Sequence, residues 1–141
     1  MSGIATVEAD IRSAFRAALL AVPGLPEGRK WEGKPYQPIL GTPFIAETVR
    51  PVYSMVRALG RGGNIEHRFL CIVNLNFPDG RGTAAIDTLA GAIREKLSPA
   101  TSFAYNGTAA YILRAETGPL IEAPDWLTKP VMITVSTYTT N

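Results

Sequence analysis

Apolar residues recur near the start of the chain at Ile4, Val7, Ile11, Phe15, Ala18, Leu19 and Val22, with Glu8, Asp10, Arg12 and Arg16 between them. This spacing gathers the apolar set on one helical face and predicts an amphipathic helix over 4–22, with Glu8 and Asp10 as solvated positions. Pro23-Gly24 ends it, because proline cannot extend the hydrogen-bond ladder and glycine accepts the left-handed terminal conformation. Over 23–43 the prolines at 23, 26, 35, 38 and 43 predict an extended, turn-rich connection without regular elements. Trp31 and Tyr36 on this arm are large amphipathic side chains, suited either to cover the sheet or to meet another subunit.

The period then changes. Residues 44–59 are rich in β-branched and aromatic side chains and predict one long strand or two short ones, with Pro51 forcing an edge position, a bulge or a break. A glycine-rich reversal over 60–64 leads into 66–77. There His67, Phe69, Cys71, Val73, Leu75 and Phe77 alternate with Arg68, Leu70, Ile72, Asn74 and Asn76, the signature of a strand and hence of a hairpin. Pro78 to Gly82 ends that strand. Thr83 is a candidate N-cap for a second helix with Ile86, Leu89, Ala90, Ile93 and Leu97 on one face, closed by Ser98-Pro99. After a polar loop, 109–116 and 130–140 are predicted strands, joined by 118–129. The order is α-β-β-α-β-β. The expected fold is α+β, a single domain over 1–141, with a mainly antiparallel four-to-five-stranded sheet and two helices on one face. Its other face would have no cover from its own chain, which is a reason to expect a partner.

Composition agrees with one folded domain: 141 residues, 46% hydrophobic and 18% charged, is long enough to bury a core and too apolar for disorder. A net charge of +2 is too small to imply nucleic-acid or membrane binding, but Arg50, Arg57, Arg61, Arg68 and Arg81 outnumber Glu66 and Asp79 over 50–81 and make that stretch locally basic. These arginines protect a strand edge, or meet an acidic surface or passing DNA phosphates without sequence preference. The single Cys71 rules out an intrachain disulfide and suits a reducing compartment. The opening residues do not have the pattern of a signal peptide, and no apolar run is long enough for a membrane helix.

Catalytic motifs are weak. Gly28 to Lys34 matches the first seven positions of the phosphate-binding G-x-x-x-x-G-K-[ST] loop, but Pro35 stands where the hydroxyl should be, and a helix rather than a strand precedes it. His67 and Cys71 share a strand face about 13 Å apart, too far for a nucleophile pair, and no further ligands suggest a metal. The carboxylates have no spacing that names an acid–base pair. Asn106-Gly107-Thr108 fits a glycosylation sequon that matters only on secretion. No cofactor is expected.

Trp31-x-x-x-Pro35-Tyr36-x-Pro38-x-x-Gly41-Thr42-Pro43-Phe44 after an amphipathic helix, then a hairpin, Pro78-x-Gly80-x-Gly82, a second helix and two strands, resembles the tail terminator proteins of long-tailed phages, the lambda-like minor tail protein U family. The resemblance implies a non-enzymatic virion protein of the tail or neck, assembled in the host cytoplasm. Such a protein is a subunit of a homo-hexameric ring that caps the tail tube protein, halts polymerisation and offers a surface to the head–tail connector. No cofactor, metal or membrane is implied, and DNA in the lumen is at most a non-specific contact. Candidate ring-interface residues are Trp31, Tyr36, Phe44, Glu47, Val49, Arg57, Arg61, Arg68, Met132, Thr134 and Tyr138, with 44–49 and 131–138 supplying sheet surface and the arginines facing a neighbouring ring or the lumen. A different neck or tail-completion adaptor is the alternative. A small enzyme with a site built between subunits from His67, Asp79 and Tyr111 is the reading from another class.

Overall fold

A computed structural model describes residues 3–60 and 62–140. The first helix, α1, spans Val7–Leu20, and β1, Gly28–Lys30, follows in the proline-rich arm. Strands β2 (Phe44–Val56) and β3 (Asn64–Pro78) form the expected hairpin, and α2 spans Ala84–Lys96. The chain ends with β4 (Ser102–Tyr105), β5 (Thr108–Thr117), β6 (Ile121–Ala123) and β7 (Trp126–Thr140).

The expected four-to-five-stranded, mainly antiparallel sheet is not what forms. All seven strands join one mixed sheet in the order β1-β2-β3-β7-β5-β4, with β6 on the side of β7. The mixing arises in the arm, where β1 runs parallel to β2 and Gly28 sits opposite Phe44. Three-residue strands such as β1 and β6 are too short to show a period in sequence, and prolines around β1 masked it.

Two turns show how the missed strands are made. Asn106 and Gly107, at φ 52° and 79°, link β4 to β5 through a two-residue loop. Both central residues of a type I′ turn need positive φ, which explains Asn-Gly at this point. Pro124-Asp125 links β6 to β7 with Asp125 at φ 74°. A proline followed by a positive-φ residue is the type II pattern.

Strands β3 and β7 pair along their whole lengths and form the spine of the sheet. One face of this spine carries Phe69, Cys71, Val73 and Leu75 opposite Val135, Ile133, Val131 and Lys129 in register, and the apolar members are buried. Both helices pack on this face, α1 over β4 and β5 and α2 over β7, β3 and β5. The helices bury the stripes their periodicity predicts, including Ile11, Phe15 and Leu19 of α1 and Ile86 and Ile93 of α2. Asp10 departs from its expected solvated position. It is buried and accepts hydrogen bonds from Thr108 at 3.1 Å and Asn106 at 3.4 Å, which tie α1 to the β4–β5 hairpin.

Candidate interaction surfaces

The face of the sheet away from the helices has a graded surface. At its β1 end Tyr36 stacks on Phe44 with ring centroids 5.2 Å apart, and Phe44 meets the edge of Trp126 at 5.0 Å. Its middle carries Ala46, Thr48, Leu70, Ile72, Met132 and Thr134, all partly exposed, with Ile72 paired to both Thr48 and Met132 in register. None of the helices covers them. Beyond them, toward the turn that joins β2 to β3, lies a cluster of charges.

Glu66 is the centre of that cluster and is buried. Its Oε1 accepts from Arg57 Nε at 2.7 Å, and its Oε2 accepts from Arg68 at 2.8 Å and from the Ser136 hydroxyl at 2.5 Å. The Ser136 hydrogen bond, aided by the two guanidiniums against the opposing effect of burial, lowers its pKa to about 2. Arg68 also lies over the Tyr53 ring at 5.0 Å. The local excess of arginine seen in sequence is therefore partly neutralised by one acid. Finding this requires the strand register, because Ser136 lies far along the chain from Glu66.

A second charged network secures the arm on the helical side. Glu47 Oε1 accepts from Arg16 Nε at 3.0 Å, from Arg16 Nη2 at 2.8 Å and from the Glu32 amide at 2.9 Å. Arg16 lies 5.5 Å from the centre of the Trp31 ring, and Arg12 pairs with Glu32. Of the residues expected at a ring interface, Glu47 and Val49 point into the core, 2% and 3% exposed, and Phe44 is largely covered. Trp31 and Tyr36 pack on their own domain. Met132 and Thr134 lie on the uncovered face, Arg57 and Arg68 at the Glu66 cluster, and Tyr138 is exposed beside Tyr111, with ring centroids 6.5 Å apart. Arg61 lies outside the described residues.

The catalytic alternatives find no common place within one chain. His67 is buried on the helical face between the Ser54 hydroxyl at 2.7 Å and the Thr139 hydroxyl at 2.8 Å. Tyr111 pairs opposite Ser136 on the other face, and Asp79 follows the far end of β3. Cys71 is buried and its thiol pKa is pushed up by that burial. Gly28 to Lys30, the start of the phosphate-loop-like sequence, is a strand, and Lys34 closes a turn onto the Trp31 carbonyl at 3.0 Å rather than opening a helix. Among the described residues no group of acidic, histidine or cysteine side chains has the arrangement of a metal site.

The family model for phage tail terminator proteins matches residues 10–135. The chain belongs to that family. Tail terminators are structural proteins of the virion tail. No curated protein matches the chain. One solved structure is 19% identical and superposes with a TM-score of 0.68, covering 90% of this chain and 92% of its own. Another, from a structure titled as the virion of a native gene transfer agent particle, is 17% identical with a TM-score of 0.60, covering 94% of this chain and 97% of its own. At these identities the likeness is one of fold.

For a terminator, the sheet edges matter as much as its face, because an open edge invites uncontrolled strand addition. Past the short β1, the Val49 amide on the outer side of β2 donates to Glu32 Oε1 at 3.1 Å. Pro51 lies two residues further along the same side, where it has no N–H to offer, and the register slips between Pro51 and Tyr53. Toward the other edge, Arg94 Nε donates to the Ala115 carbonyl at 3.3 Å, past the end of β4. Charged side chains, a proline and a bulge thus blunt the strands that the short flanking strands leave uncovered.

Proposed function

We propose that this protein forms a ring that caps the tail tube, stops tail polymerisation and gives the head–tail connector a surface to join. Family membership supports the tail role, and one observation carries the ring reading: Leu70, Ile72 and Met132 are partly exposed on a sheet face that no helix covers. A fully exposed side chain of this kind gains roughly 1.5–3 kcal/mol on burial and these partly exposed ones a fraction of it each, so together they favour association once another surface is pressed to the face. With both flanks blunted, contact through faces is favoured over strand addition. The proposed interface comprises Leu70, Ile72, Met132, Thr134 and Tyr138 with Ala46 and Thr48 beside them and Arg57 and Arg68 at its margin, and leaves out Glu47 and Val49, which are internal.

The test is electron microscopy of the purified protein and of isolated tails, wild type against Ile72→Asp. Closed rings, or density at the tail end, lost in the variant while its circular dichroism is unchanged, support the reading. A wild-type protein that stays monomeric and is found on no assembled particle refutes it. Density elsewhere in the neck would favour a completion adaptor.

A further inference from the structure

The β2–β3 hairpin ends in an apolar tip that the fold does not require. Val52, Met55 and Val56 are about half exposed, and Leu59 is 95% exposed, a position where a polar side chain would fit equally well. At the other end of the same strands is a groove of about 440 Å³ between α2 and the turn after α1, lined by Pro23, Phe77, Ala85, Thr88, Leu89 and Ala92. The groove is open to solvent and mostly apolar in lining, which suits it to receive an apolar side chain from outside.

Charge separates the two ends in the same way. Arg57 and Arg68 exceed Glu66 near the tip, whereas the exposed Asp79, Glu122 and Asp125 exceed Arg81 in the turns beside the groove. Those turns are one unit, since the Asp79 amide donates to the Asp125 carbonyl at 3.1 Å. The 15 residues of β3 hold tip and groove roughly 50 Å apart, so a chain cannot fill its own groove.

We propose that the hairpin tip of one copy seats in the α1–α2 groove of the next, Leu59 entering beside Thr88 and the arginines meeting the acidic turns. Two different patches joined head to tail make a heterologous contact, which closes into a ring when the rotation allows. The inference rests on the ring reading above and adds how neighbours are selected: by an apolar knob and a complementary charge.

Single variants Leu59→Cys and Thr88→Cys of the full chain, mixed under mild oxidation, test it. Cys71 can remain because it is buried. A disulfide between positions 59 and 88 in the mixture, identified by mass spectrometry and absent from either variant alone, is the expected result. Leu59→Asp should weaken self-association by about tenfold or more, the scale of losing one buried apolar group. Tip-to-tip dimers of Leu59→Cys alone, or failure of the 59–88 link both in solution and on tails, overturn the docking. Rings seen without that link would leave the ring reading standing and this contact wrong. The link without the protein on any tail would do the reverse.

Discussion

Ser136 of β7 donates its hydroxyl to Glu66 of β3 at 2.5 Å on the helix-free face of the sheet. The carboxylate that receives it also holds Arg57 and Arg68. Its pKa is lowered from 4.5 to about 2. A depressed carboxylate contributes stability above its unfolded pKa and loses it as pH falls toward the folded one. Stability should therefore drop between pH 4.5 and about 2, and Glu66→Gln should flatten that slope while lowering stability at pH 7 by about 2 kcal/mol. Urea melts across this range check both; an unchanged acid slope in the variant would remove Glu66 from the account.

His67 should produce a separate, milder effect at higher pH. Burial between Ser54 and Thr139 lowers its pKa below the ordinary 6.5, so folding disfavours the proton and stability falls as pH drops below that value. NMR titration of this sole histidine should find a midpoint below 6.5 in the folded chain.

Arg16 neutralises a carboxylate with a fully buried side chain, Glu47, whose Oε2 has no hydrogen-bond partner among the described residues. Arg16→Ala should leave that charge stranded and destabilise the fold by about 3–5 kcal/mol, whereas replacing both residues with leucine should be far milder. Chemical denaturation of the two variants separates a stranded charge from simple loss of packing.

Gly28 lies where the arm begins to pair with β2. A Cβ there would meet the Tyr36 hydroxyl and come within 2.8 Å of Phe44 Cβ. Gly28→Ala should push Tyr36 off Phe44 and loosen residues 31–43, at about 1–3 kcal/mol. Limited proteolysis should then cut the arm sooner than in the wild type.

Cys71 is fully buried in the core, and its thiol is held protonated by that burial. The native protein at pH 8 should react with a thiol reagent only as fast as it unfolds, because the thiolate is the reactive form. Immediate stoichiometric labelling without denaturant would contradict the placement of this residue.

The sequence by itself determined the elements that repeat long enough to show a period: α1, β3, α2 and the core of β7, along with a hairpin whose bulge Pro51 signalled. Periodicity is a local property, set by which side chains must leave water, so it survives without coordinates. The Asn106-Gly107 pair carries a hairpin-turn signal in the same residues that open a glycosylation sequon, and in the fold it serves as the turn. Only the tertiary structure decided that β1 joins the sheet in parallel, that Glu47 and Asp10 are internal, and that Glu66 answers two of the arginines. Those outcomes depend on which distant residues share a register, as Ser136 and Glu66 do across β3 and β7, and a linear pattern of polarity carries no information about partners brought together through space.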